Sequence, residues 1–501
     1  MDSKLLSGPG LPGPAVLSLI AQELLRPDGP ETVQYVLSAS KDKPAHILHY
    51  FARHDLVLEL LRDSKNRLST KHYDQNMGAI PGQINLLPGE DNDQPTRWKI
   101  LAAALDHGRR ISRKDMKGAA AFARTLARTT LQNIKAGGGT ETNLVREYGY
   151  VIPYLFAKEF VGLTPKARPS LLFRVFVLAR NFRDGFGHKR RASDTLKAHG
   201  PHASANEYLL WSQLMFGQIF GNYGLRSKVL TFVSGLASKL YSKQVERSIR
   251  DNTPSPAPAF TGGTLIERLH EVKPDFVGPN TGKDTGKLSE EAYDLHVKSI
   301  VFEIIASFHI LIGISFGHVL DVLLRQNIDL KDFAKKLGQK DGYFLLDTIL
   351  NENPTTALVF RRARKPLAQY GIAKGDGLCF LITAASKALV PDGCPVSPSA
   401  RRGECPNIPT PKDRTAFLNF GPNEHKPYEL VAGGKRSPKA AYDIAHPCFG
   451  QYWARAILAE MFIALADEEV GLPDMEPADG AGAGVKNFAG IPDSFMVRFK
   501  S

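Results

Sequence analysis

Residues 289–326 read as a single very long helix with few surface-type side chains. A helix that is apolar on most of its sides sits in the middle of a large core, because it presents no face to water. Residues 299–324 are apolar enough to test as a membrane span. They include Glu303, His309, His318 and Asp321, each costly in lipid, so a buried core helix is the better reading. The opening segment has an apolar stretch broken by Gly and Pro and lacks the basic head and cleavage site of a secretory signal. The expectation is a soluble chain without a transmembrane anchor, cytoplasmic or peripheral to an intracellular membrane.

The chain is long enough to surround such a helix. Its 501 residues, 43% hydrophobic and 23% charged, exclude a disordered, collagenous or disulfide-stapled class. Further helical patterns cover residues 54–61, 100–134, 145–162, 171–183 and 205–240. Residues 251–263 form a Pro/Gly-rich loop, either a domain linker or a mobile cover over a site. After Pro354 the texture changes. Residues 355–364 and 371–379 read as strands between Pro/Gly turns, and residues 451–465 give the last strong helix. The predicted fold class is mainly α with a small β-rich part.

The net charge of +13 favours acidic partners, but no dense Lys/Arg block makes nucleic acid a leading ligand. Four cysteines in a chain this long do not make a disulfide framework, so a reducing compartment is expected. Cys394 and Cys405 lack histidines at zinc-ligand spacing. The run Gly137-Gly138-Gly139 opens no strand–helix phosphate loop. Cys448 is more informative, because it sits in a Pro/Gly turn just before a helix. Backbone N–H groups at a helix start favour a thiolate, and Gly450 allows the backbone to approach the sulfur. Cys448 is therefore either a metal-ligating thiolate or a small buried thiol at a helix start.

His446-x-Cys448-x-Gly450-x-x-x-Ala454 resembles the haem-ligand signature of the cytochrome P450 family. Other segments resemble that family in the expected order across about four hundred residues. Residues 55–69 look like its early helix and turn, and Arg97-Trp98-Lys99 like the segment that holds a haem propionate. Residues 148–162 look like a helix closed by Gly. Residues 360–375 look like the strand–turn–strand that follows its K helix, and residues 384–388 like a small-residue turn. The resemblance implies one P450-like domain over residues 1–501, helix-rich at 40–350, with a strand-rich and haem-ligand region at 351–501. It implies haem b (iron protoporphyrin IX), with Cys448 on the iron and Phe449 and Gly450 donating N–H groups beside the sulfur. Propionate partners would be Arg97, Trp98, Lys99, His446 and one of Arg361, Arg362 or Arg364.

Several departures accompany the matches. The family's Glu-x-x-Arg falls on Thr348-Ile349-Leu350-Asn351, without either charge. Phe420, Gly421 and His425 match an element that usually leads directly to the ligand, so an insertion near residues 428–442 separates it from Cys448. Ile457 replaces a glutamate often found in the ligand helix. The family's acid–alcohol pair is missing from residues 313–318, where Ser315 and His318 are the candidate catalytic groups. It is missing too in the alternative register, residues 306–309. By resemblance, a chain without the pair is a haem-thiolate oxidoreductase or isomerase acting on a lipophilic molecule, using peroxide or a substrate hydroperoxide. The alternatives are a monooxygenase fed by an acidic electron-transfer protein, a P450-like binding module without haem chemistry, and a helical protein unrelated to haem.

Overall fold

The computed structural model describes residues 6–8, 11–37, 46–62, 67–69, 93–106, 113–136, 141–164, 168–185, 203–216, 228–251, 263–278, 287–339, 342–352, 355, 358–387, 450–467, 475–478, 484–488 and 491–499. They fall into two compact units, each drawn from three segments of the chain.

The first unit comprises residues 1–96, 216–234 and 347–449 and carries a six-stranded mixed sheet. Its strands are β1 (Leu6–Gly8), β2 (Val33–Leu37), β3 (His46–Phe51), β4 (Leu68–Ser69), β6 (Leu358–Ala363) and β7 (Gly377–Leu381), in the order β1-β2-β3-β7-β6-β4. β3 and β7 run parallel, with Tyr50 opposite Cys379, while β7 and β6 are antiparallel. Every residue of β7 (Gly-Leu-Cys-Phe-Leu) is buried, as expected for a central strand covered on both faces. Helices His54–Arg62 and Ile382–Lys387 pack there, joining Phe51, Leu60, Phe380 and Ala385 in one cluster. The β6–β7 connection turns at Gly375 (φ 96°), a left-handed conformation that suits glycine. Asp376 Oδ2 accepts from Ala373 N at 2.9 Å and lies 3.1 Å from His49 Nε2, which fixes the turn against β3.

β6 lies within the stretch expected as a strand at 355–364, and β7 overlaps the one expected at 371–379 and runs two residues past it. β3 lies in the region expected to be helix-rich and β2 in a stretch for which no element is predicted, and their Val, Ile, Tyr and Phe content was the available signal. The small-residue turn expected at residues 384–388 is part of helix Ile382–Lys387 through Lys387.

The second unit comprises residues 97–215, 235–346 and 450–501. Its axis is the helix Glu290–Arg325, capped by Ser289, whose side chain accepts from Ala292 N. Among the described residues this is the one helix long and apolar enough to cross a membrane, and most of it is buried inside the protein. Helices Val151–Val161 and Gln451–Leu465 flank it. Val151–Val161 ends at Gly162, in the left-handed region at φ 88°. Helix Arg113–Ala136 presents buried Ala119, Ala123, Ala127 and Leu131 at four-residue spacing. Those small side chains let it lie close against Gln451–Leu465. The contact is bordered by Arg124, which donates to both oxygens of Glu460 (2.5 and 3.1 Å).

The C-terminal strands β8 (Met475–Pro477), β9 (Lys486–Phe488), β10 (Ile491–Ser494) and β11 (Met496–Phe499) lie in the region expected to be strand-rich, where no individual strand is predicted. β11 pairs with β8 and with β5 (Glu141–Asn143), and β9 with β10. Asp493 in β10 receives Arg180 on both oxygens (3.1 and 3.0 Å) and also Arg146. Tyr150 Oη donates to Pro492 O at 2.8 Å. These polar contacts bind the C-terminal strands to the helices.

Candidate active site

From residue 299 to residue 320 the central helix is buried at every position except Glu303, Ile304, Ser307, Leu311 and His318. At 3.6 residues per turn these five fall within a sector of about 100°. One face of an otherwise sealed helix thus remains half-accessible, which is where a bulky ligand can lie against it.

An aromatic cluster fixes where this helix meets the start of helix Gln451–Leu465. Phe308 stacks on Phe156 (6.1 Å, 8° between planes) and meets Trp453 edge-on at 6.1 Å. Trp453 in turn stands 4.1 Å from Phe160. Such pairs contribute about 0.5–1.5 kcal/mol each beyond area burial. Gly450, the N-cap of the last helix, lies against Phe308: a Cβ there would come 3.1 Å from Phe308 Cε2. Gly450 is thus next to residue 308, in the alternative register of residues 306–309. Ser315 and His318 are seven and ten residues further along, about 10 and 15 Å at 1.5 Å per residue.

Residues 313–318 are held by close packing on other segments. A Cβ on Gly313 would strike the Tyr150 ring, and one on Gly317 would strike Pro492. Phe316 stacks on Phe462 at 4.9 Å and meets Tyr148 at 5.6 Å. The two glycines are thus close-approach positions in the core, Ser315 is buried between them, and His318 is half-buried on the accessible face. His309 is fully buried, with its ring 6.2 Å from Tyr150 and 5.4 Å from Tyr154. Burial pushes its pKa down to about 3, and the Tyr150 backbone offsets only part of this.

Glu303 is the group that sequence reasoning passed over as a site residue. Burial pushes its carboxyl up to about 7, and the field of Arg97 opposes the shift only in part. Arg97 is buried in helix Asp93–Asp106, and its Nη1 donates to Ser299 Oγ at 2.7 Å. Ser299, Glu303 and Ser307 recur every four residues, so they line one edge of the helix. That recurrence of polar residues in an apolar run was the signal in the sequence. Lys99 in the same turn is exposed, and the side chain of Trp98 lies outside the described residues.

In the first unit, Arg361 and Arg362 are adjacent on β6 and therefore face opposite sides of the sheet, so they cannot both reach one ligand. Arg361 is buried and donates to Phe360 O at 2.7 Å, while Arg362 is half-buried. Arg364 is tied to β4, its Nε donating to Leu68 O at 2.7 Å. Residues 348–351 lie in helix Gly342–Glu352, where Asp347 and Thr348 are buried. Burial raises the Cys379 thiol well above its ordinary value. Cys448, His446 and Phe449 lie outside the described residues, as do Cys394, Cys405, Phe420, Gly421, His425, Gly137–Gly139, residues 252–262 and the expected insertion at 428–442. Among the described residues no group of three His, Cys, Asp or Glu side chains is arranged to hold a metal ion.

No protein-family profile and no curated protein sequence matches the chain. Solved structures do. The cytochrome P450 PksS of the Bacillus subtilis 168 bacillaene polyketide synthase is similar with a TM-score of 0.58 at 13% identity, over 97% of each chain. A mutant of P450 EryK in complex with erythromycin B gives 0.58 at 14% identity, over 98% of each. P450BioI in complex with acyl carrier protein ligated to hexadec-9Z-enoic acid gives 0.57 at 12%, over 93% of this chain and 95% of that one. Similarity spanning nearly the whole length, at identities this low, is a statement about backbone architecture. The chain therefore has the cytochrome P450 fold.

Proposed function

We propose that this protein is a haem-thiolate oxidoreductase acting on a lipophilic organic molecule, with Cys448 as the residue that would hold the haem iron. The observation that carries the reading is the half-accessible face of the central helix, which bears Glu303 and Ser307. The residues present fit a haem. Arg97 brings a buried guanidinium to the central helix, suited to a propionate carboxylate. Gly450 leaves room where a larger side chain would press on Phe308. Bound haem would supply a redox-active iron whose thiolate ligand favours O–O cleavage.

The protein's own groups then have definable tasks. Leu311 and Ile304 offer apolar surface to the substrate, while Glu303 can hold a proton near neutral pH and Ser307, one turn on, can relay it. Residues 306–309 contain no acid, but Glu303 lies one turn before Ser307 and is followed by Ile304 rather than an alcohol. This favours keeping a monooxygenase fed by an acidic electron-transfer protein beside the peroxide-using reading. A carrier-linked acyl chain, as in the P450BioI complex, is one substrate form to test.

Expressed with adequate haem supply, the protein is expected to hold one haem per chain, and Cys448→Ala to lose most of it. Equal occupancy in both would reject the assignment. Turnover with peroxide alone, against turnover with reductase and NADPH, separates the two oxygen sources. Glu303 gives a further expectation. Its carboxyl gains a proton as pH falls through about 7, so the pH–rate profile should bend there. Glu303→Gln should remove that bend, and a bend unchanged in the variant would exclude Glu303 from proton handling.

A further inference from the structure

Helix Leu171–Gly185 carries large apolar side chains on the side facing water. Leu171 is 74% exposed, Val175 54%, Leu178 70% and Phe182 67%. Their spacing of four, three and four residues places them in one row, about 16 Å long at 1.5 Å per residue. The opposite face is already used, since Phe173 and Val177 pack on Leu210. The helix is also held at both ends. Ser170 Oγ accepts from Phe173 N at 3.2 Å, Glu207 accepts from Ser170 N at 2.8 Å, and Arg180 is clamped on Asp493. The row is therefore a fixed apolar ridge on a firmly seated helix.

Two observations identify its occupant. The first is charge: residues 165–200 contain nine Lys or Arg against two Asp and no Glu, so they carry +7 of the net +13. Exposed Arg174 stands beside the ridge itself. The second is shape. Side chains more than half exposed protrude from a convex helix, whereas a protein partner would have to offer a matching groove. Lipid deforms around protruding side chains without needing one. A second copy is disfavoured, because a two-fold contact along the ridge would set exposed Arg174 against its own copy.

We propose that this face seats the protein on an anionic lipid surface, with the ridge entering the headgroup–acyl boundary and the exposed Arg168 and Arg174 meeting the phosphates. Protein sedimented with vesicles of phosphatidylcholine and phosphatidylserine is the direct test. Binding is expected, falling as salt rises and weak to phosphatidylcholine alone. The double variant Leu171→Glu/Leu178→Glu should bind at least ~10-fold more weakly. Both positions are exposed, so its thermal melt should match the parent's, which separates lost binding from lost folding. The proposal is overturned if the parent ignores anionic vesicles or if the double variant binds as well as the parent. It is equally overturned if light scattering shows a parent dimer that the variant splits, since the ridge is then an interface between copies. None of these readouts depends on haem.

Discussion

His309→Phe is expected to hold the protein folded under acid conditions in which the parent loses stability. The imidazole lies fully inside the second unit, between the rings of Tyr150 and Tyr154, and burial depresses its pKa from 6.5 to about 3. Above pH 7 the ring is neutral in both folded and unfolded chains and contributes nothing to the pH dependence. Below 6.5 the unfolded chain takes up a proton that the folded chain refuses. Stability therefore falls by about 1.4 kcal/mol per pH unit until the folded pKa is reached. At pH 4 the accumulated loss is about 3 kcal/mol, a large part of an ordinary folding free energy. Denaturant unfolding of parent and variant at pH 8 and pH 4 reads this directly, since the gap between them should open in the variant's favour as pH falls. His49 is also depressed by burial and remains in both proteins, so the difference isolates His309. A gap that does not change with pH would refute the burial of a neutral ring at position 309.

Phe316→Ala should be the most damaging single truncation on the central helix. The side chain is fully buried, stacked on Phe462 and tilted against Tyr148, with the backbone of Gly149 against its ring. Little can collapse into the space it would leave. Gly149 has no side chain, and Tyr148 is held by its Oη donating to Met461 O at 2.6 Å. A loss of about 3–5 kcal/mol is expected from transfer and cavity terms together. The equivalent truncation at the exposed Leu171 should stay within about 0.5 kcal/mol. Urea midpoints of the two variants make the comparison, and similar shifts would contradict the packing described for helices Glu290–Arg325 and Gln451–Leu465.

The sequence carried the existence of these helices better than their rotation. Residues 289–326 and 451–465 were legible because length and apolarity announce a core helix, and Ser289 and Gly450 mark where each begins. Phase was the weak point. In a run apolar on nearly all sides, periodicity does not tell which side faces a ligand. That choice is made by contacts between distant segments: Phe308 with Phe156 and Trp453, Gly313 with Tyr150, Gly317 with Pro492. Residues 313–318 include two close-packing glycines, which the apolar run alone does not distinguish from a ligand-facing stretch. β2 and β3 were missed for a related reason. Five- and six-residue strands give little periodic signal, and what stabilises them is pairing: β2 to β3, and β3 to β7, more than three hundred residues away. Arg361 and Arg362 could have been separated in advance, because neighbours on a strand point to opposite faces.

Cys448 is the residue proposed to hold haem iron. A spectrum of freshly purified protein, reduced with dithionite and exposed to carbon monoxide, tests it most directly. The account predicts the red-shifted Soret band of a thiolate-ligated iron in the parent, and its loss in Cys448→Ser. A parent with no Soret absorbance, or with an unshifted band that the variant shares, would contradict it.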